Sequence, residues 1–241
     1  MGLQGVEAPF STSTRSSSRY DLDPMAGKGL FITFEGSEGC GKSTQIGRLT
    51  ARLRDAGREV VLLREPGGTP IGEQIRHLLQ YDESAGAMTP EAELLLFAAS
   101  RAQLVREVIR PAMERGAVVL CDRFLDSTTV YQGVARALDR RDVAAVNAFA
   151  VGGTLPDLTL LLDLDTAEGR RRAASRKGPV DRMEQEGEEF YEAVRRGYLE
   201  LAEASPGRFA VIDASGNEAS VESLITAALA ERFNGGAHGI F

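Results

Sequence analysis

The sequence predicts an α/β protein built on an open, mostly parallel five-stranded sheet with helices on both faces. Three observations lead to this. Five short apolar runs recur along the 241 residues, stretches of helical period separate them, and the first run ends in a glycine-rich loop of the kind that joins a strand to a helix. Charged residues also follow four of the runs, at the sheet edge where ligands of such folds bind.

The first run, Leu30–Phe34, leads through Glu35 into Gly36-Ser37-Glu38-Gly39-Cys40-Gly41-Lys42-Ser43 and Thr44. This satisfies G-x-x-x-x-G-K-[ST] in its required strand–loop–helix setting. Glycines let successive backbone N–H groups turn inward, and the following helix adds the partial charge of its N-terminus. Lys42 can reach the outer phosphates of a nucleotide, and the Ser43 hydroxyl can ligate Mg²⁺. A helix over Ser43–Ala56 then ends at Gly57.

The second run, Glu59–Leu63, leads into Arg64-Glu65-Pro66-Gly67-Gly68-Thr69. Thr89-Pro90-Glu91 reads as an N-cap, a proline at the first helical position and an acidic first turn, opening a long helix to Arg110-Pro111. The third run, Ala117–Cys121, leads into Asp122-Arg123, followed by helical stretches over Asp126–Leu138 and Arg140–Val151. The fourth, Leu158–Leu162, leads into Asp163-Leu164-Asp165 and a helix over Thr166–Arg176. Helices over Gly187–Ala204 and Ser220–Phe233 flank the fifth run, Arg208–Ile212.

Residues 26–233 thus form one expected domain. The first 25 residues are rich in serine and threonine and lack a hydrophobic period, so they read as a disordered leader, with a transit peptide as the alternative; residues 234–241 read as a flexible tail. No apolar run is long enough to span a bilayer, and a net charge of -7 argues against a nucleic-acid partner. Two cysteines, Cys40 and Cys121, and two histidines leave no disulfide or zinc framework and fit a reducing compartment, the cytoplasm.

A phosphate loop does not say where the terminal phosphate goes. A regulatory GTPase should carry N-K-x-D, which is missing, and Asp213-Ala-Ser-Gly216 stands in the wrong order for a switch. The segments REPGGT (Arg64–Thr69), LLLFAASRAQL (Leu94–Leu104), CDRFLDSTTVYQG (Cys121–Gly133), PDLTLLLDLD (Pro156–Asp165) and DRMEQEGEEFYEAVRRGYLELA (Asp181–Ala202) together resemble thymidylate kinase. The resemblance covers about residues 28–233. It implies a P-loop NTPase fold of the nucleoside-monophosphate-kinase type with a lid, transfer of phosphate from ATP to dTMP with Mg²⁺, and a homodimer.

Residue by residue, the resemblance gives Arg123 and Arg64 the acceptor phosphate, which suits the bidentate grip of arginine. It stacks Phe97 on thymine and gives Arg101 a base carbonyl. Ser127, Thr128, Tyr131 and Gln132 meet the base edge and sugar, with Tyr131 crowding a ribose 2′-hydroxyl, and Glu38 accepts from the 3′-hydroxyl. Asp122 and Glu65 are candidates for holding Mg²⁺ through water. The phosphate loop has no arginine, so the resemblance is to the subclass whose catalytic arginine comes from the lid, at about 175–186: Arg182 or Arg176. The acceptor's attacking oxygen is already ionised, so no general base is needed. Three other readings stay open: a kinase for another monophosphate such as dUMP or CMP, a deoxynucleoside kinase, and a nucleotide-binding regulator.

Overall fold

Alternation along the first strand sets two layers. Leu30, Ile32 and Phe34 point to one face of the sheet and Phe31 to the other, and all are buried. The computed structural model describes residues 29–174 and 186–233. The leader over 1–25, nearly all of the expected lid at 175–186 and the tail over 234–241 lie outside the described residues.

The sheet comprises β1 (Leu30–Glu35), β2 (Val60–Arg64), β3 (Val118–Asp122), β4 (Leu158–Asp163) and β5 (Phe209–Asp213). Their order is β2-β3-β1-β4-β5, with every pair parallel. Each strand reaches the charged residue that follows its expected apolar run, and β2, β3 and β5 begin one residue later than expected. Parallel pairing continues there because the backbone still finds partners: Arg64 is in register with Asp122, and Asp163 with Asp213. The charged groups therefore start at the strand ends themselves.

Helix α1 (Lys42–Asp55) and the last helix, Glu218–Phe233, cover one face through Ile46, Leu49, Leu53, Ile225 and Leu229. The opposite face is covered by the helical stretch from Pro90 to Glu114 and by the helix Glu188–Ala204, with Arg140–Val151 packed outside against Pro90–Leu104. Burial on both faces explains why the strands read as continuous apolar runs.

Three local departures from expectation matter for the site. A helix absent from the sequence reading, α2 (Pro70–Gln80), follows β2; Thr69 caps it by accepting from the Gly72 N–H at 2.9 Å, with Pro70 at the first position. The long helix does not stop at Arg110-Pro111. After α3 (Pro90–Leu104), a π segment over Val105–Ile109 closes with the Arg110 N–H on Val105 O, and α4 (Arg110–Glu114) continues. The wider turn resets the hydrogen-bond register, so Pro111 opens a new segment and its missing N–H costs little. The expected helix over Asp126–Leu138 is instead a short α5 (Leu125–Thr128) followed by a π segment, Thr129–Ala135, which carries Tyr131 and Gln132. Helices α6 (Arg140–Val151), α7 (Thr166–Ala174), α8 (Glu188–Ala204) and α9 (Glu218–Phe233) stand within a few residues of expectation, α7 stopping at the last described residue before 175.

Candidate active site

The loop after β1 is held in a preformed curl. Lys42 turns back over it, donating from Nζ to Gly36 O at 3.0 Å and Ser37 O at 2.9 Å, and approaching Cys40 Sγ at 3.5 Å. Gly41 caps α1 without a side-chain acceptor, leaving the first N–H groups of α1 to a ligand. Gly39, at φ +76°, meets Gly169 of α7 so closely that a Cβ on Gly39 would lie 2.0 Å from the Gly169 carbonyl oxygen. A Cβ on Gly169 would in turn lie 2.6 Å from Glu38 O. Two glycines thus seat the phosphate loop directly on α7.

At the end of β3, Arg123 adopts φ 67°, a left-handed conformation that costs a side-chain-bearing residue on the order of 1 kcal/mol. A buried carboxylate secures the turn. Glu35, the last residue of β1, accepts at Oε1 from the Phe124 N–H (2.8 Å) and the Ser127 N–H (3.3 Å). Its Oε2 accepts from Ser127 Oγ and Tyr198 OH, both at 2.7 Å. Burial, reinforced by the Asp126 carboxylate, pushes the Glu35 pKa to about 7 against the opposing pull of Arg123 and its hydroxyl donors. Asp126 is itself paired bidentately with Arg208, which ties this turn to the start of β5.

So anchored, the Arg123 guanidinium pairs with the Glu38 carboxylate, contacts Ser127 Oγ at 3.2 Å and Tyr198 OH at 3.3 Å, and stacks over the Tyr131 ring at 5.1 Å. Its ion-pair partner is Glu38, not the adjacent Asp122. Glu38 is therefore occupied by Arg123 rather than standing open to a sugar hydroxyl.

These groups wall a cavity of about 230 Å³ at the carboxyl ends of β1, β2 and β3. Lys42, Ser43, Glu65 and Asp122 form one side of the set; Arg123, Ser127, Thr128, Tyr131, Gln132 and Phe97 form another, with Glu38 and Arg64 at the wall as well. Seven buried side-chain atoms among the described residues have no hydrogen-bond partner. Five of them, Glu65 Oε1, Gln80 Oε1, Asp122 Oδ1, Thr128 Oγ1 and the Tyr131 hydroxyl, belong to residues on this cavity. Buried polar atoms are rarely left unpaired, so the concentration here marks a cavity made for a polar ligand.

Some expected residues stand elsewhere. Arg101 does not line the cavity and is 1% exposed. Its Nε donates to Glu65 at 2.8 Å, Nη1 to Asn147 at 2.9 Å and Nη2 to Phe124 O at 3.2 Å. Arg101 supports the wall by holding Glu65, whose pKa burial raises and Arg101 draws down. Arg64 reaches the cavity, but its fork grips Glu73 at 2.9 and 3.0 Å. Gly36, Ser37, Gly39, Cys40, Gly41 and Thr44 build the loop and the start of α1 without lining this cavity. Arg176 and Arg182 lie outside the described residues.

The sequence reading missed Arg76 and Gln80, which line the cavity from α2, and Tyr198 of α8. The T-P pair at Thr69-Pro70, with apolar residues at Ile71, Ile75, Leu78 and Leu79, is the helix signal that would have located the first two.

Asp122 Oδ1 is orphaned, and Ser43 Oγ stands 3.4 Å from Asp122 Oδ2. Two hard oxygen donors suit Mg²⁺, which binds through one or two protein ligands while phosphates and water supply the rest. Among the described residues no group of three or more His, Cys, Asp or Glu gathers where it could hold a metal ion.

A family model described as thymidylate kinase matches residues 34–225. The thymidylate kinase of Deinococcus radiodurans is 52% identical over 205 residues, spanning 85% of this chain and 98% of that one. That of Geobacter sulfurreducens is 55% identical over 204 residues, spanning 83% and 94%. The crystal structure of thymidylate kinase from Ehrlichia chaffeensis matches with a TM-score of 0.69 at 32% identity, over 83% of this chain and 98% of that one.

The Glu35 environment has a measurable consequence. Between a carboxylate's ordinary pKa near 4.5 and its folded value of about 7, the folded chain binds a proton that the unfolded chain does not, so stability falls as pH rises through that window. Relative to Glu35→Gln, which cannot titrate, the wild-type protein should lose on the order of 3 kcal/mol of unfolding free energy between pH 4.5 and pH 7. Urea titrations of both proteins across that range measure it; a constant difference would show that Glu35 does not titrate there.

Proposed function

The chain belongs to the thymidylate kinase family and phosphorylates dTMP from ATP, and we propose that the residues around the cavity divide the reaction as follows. The loop from Gly36 to Thr44 and the N-terminus of α1 hold the donor phosphates, with the Lys42 ammonium moving from the loop carbonyls to the outer phosphates. Ser43 and Asp122 hold Mg²⁺, with Glu65 behind them; the ion supplies neutralisation of the donor's phosphate charge. Arg123 clamps the acceptor phosphate and Arg64 joins it on leaving Glu73. Phe97 stacks on thymine, Gln132 and Thr128 meet its edge, and Tyr131 closes the space a ribose 2′-hydroxyl would need. Glu38, once Arg123 turns to phosphate, is free to accept from the 3′-hydroxyl. Arg182 and Arg176, in the segment at about 175–186, are assigned to the transferring phosphoryl.

The observation behind this reading is that one cavity is lined both by Lys42 and Ser43 of the phosphate loop and by two arginines, Arg123 and Arg64. A regulator that only binds nucleotide needs no second set. The acceptor oxygen is ionised, so alignment and charge neutralisation are the chemistry required, and the cavity lining supplies both without a poised histidine.

Residues 26–233 act as one kinase domain, and the reaction is assigned to the cytoplasm, whose reducing conditions suit the free thiols of Cys40 and Cys121. No described helix is long and apolar enough to cross a membrane. The homodimer is supported by exposed apolar side chains on two helices that pack together: Leu95 of α3 is 58% exposed and Phe149 of α6 is 82% exposed. Arg106, in the π segment two residues beyond the end of α3, bonds to α6 by donating to Ala150 O at 2.8 Å. Large apolar side chains held in water on adjoining helices mark an association surface.

ADP release measured with ATP, Mg²⁺ and dTMP, dUMP, CMP, AMP, GMP or thymidine as acceptor should show strong preference for dTMP; preference for another monophosphate would overturn the base assignments. Arg123→Ala should lower kcat/KM for dTMP by about 10²- to 10⁴-fold, the worth of two charge-assisted hydrogen bonds, while ATP binding survives. Unchanged activity would remove Arg123 from the clamp. In sedimentation, Phe149→Glu should convert a dimer into a monomer, and a variant that stays dimeric would place the interface elsewhere.

A further inference from the structure

Glu93 is a buried charge to which the reaction above gives no task. It lies in α3 at 1% exposure, where a carboxylate costs several kcal/mol unless its lone pairs are satisfied. Its Oε1 accepts from Gln132 Nε2 at 2.7 Å and lies 3.5 Å from Arg136 Nε. Arg136 is held in turn by Glu186 at 2.6 Å and by the face of Phe190 at 5.0 Å. Gln132 lines the cavity and Glu93 does not.

A glutamine amide has a donor end and an acceptor end, and by itself can present either. A carboxylate only accepts. With Nε2 turned back to Glu93, the amide has one orientation, and among the described residues nothing donates to Gln132 Oε1. That oxygen remains for the cavity.

We propose that Glu93 is a positioning residue for base selection: by fixing the Gln132 amide, it makes the pocket present an acceptor to the edge of the base. Resting on the dTMP reading, this explains which pyrimidines the site takes. The ring N3–H of thymine or uracil donates to Oε1. Cytosine offers a lone pair at N3, so two acceptors would face one another with no proton between them, and the amide cannot flip to answer because its oxygen would then face the Glu93 carboxylate. A site built around one hydrogen bond rejects an analogue that cannot make it by far more than an apolar pocket could. A neutral glutamine at position 93 would accept either orientation of Gln132 and release this restriction.

The test compares kcat/KM for dTMP and dCMP in the wild-type protein and in Glu93→Gln. In the variant the dTMP-to-dCMP ratio should fall at least about ten-fold, with the value for dCMP itself rising. A ratio that stays constant while both substrates lose equally would make Glu93 a packing residue and overturn the proposal. Failure of the dTMP reading is distinguishable, because it would appear as a wild-type enzyme with no preference for dTMP over dCMP. If the variant does not fold, binding of N3-methyl-dTMP to the wild-type protein decides. Without the N3–H it should bind at least about a hundred-fold more weakly than dTMP, and equal affinity would overturn the proposal.

Discussion

The carboxylate of Glu35 takes hydrogen bonds from Phe124, Ser127 and Tyr198, and so joins the end of β1, the turn after β3 and the helix α8 at one buried point. The site depends on this junction. The phosphate loop begins one residue after Glu35, and Arg123 sits immediately before Phe124 in a backbone conformation that a side chain adopts only when its neighbours are fixed. Placing a charge at this depth raises the Glu35 pKa to about 7, so the fold accepts an unfavourable local charge to hold the phosphate loop and the Arg123 turn in fixed relation. Buried polar networks of this kind define a geometry when every donor is answered.

A second constraint is steric. Gly39 and Gly169 let the phosphate loop and α7 approach until backbone meets backbone, so the loop is seated on the helix that leads toward residues 175–185. The phosphate loop and α7 are thereby coupled through contacts that a single methyl group would break.

Much of this was legible in the chain because its signals are local. Five apolar runs marked the strands, G-x-x-x-x-G-K-[ST] marked the donor loop, and the charged residues after the runs marked the ligand edge. The exact strand ends were not legible, since pairing onto Glu35, Arg64 and Asp122 depends on the neighbouring strand. Helix α2 was hidden by the glycine-rich REPGGT segment before it, although Thr69-Pro70 announced it. The π segments depend on tertiary packing and leave no periodic trace, and one of them aims Tyr131 and Gln132. Arg101 shows the limit most clearly: helical spacing puts it four residues from Phe97 in α3, but its hold on Glu65 depends on a carboxylate 36 residues earlier in the chain. Glu35 and Glu93 were invisible as organisers for the same reason, because a buried carboxylate is known by its donors.

The affinities of Glu35→Ala for dTMP and for ATP, in protein whose unfolding remains cooperative, test most directly whether Glu35 fixes the Arg123 turn for the acceptor. Loss of the carboxylate should release the Arg123 turn and weaken dTMP binding at least about ten-fold, or 1.4 kcal/mol, with ATP affinity changed about two-fold or less. Unchanged dTMP affinity, or equal loss for both nucleotides, would contradict the claim that this carboxylate organises the acceptor clamp.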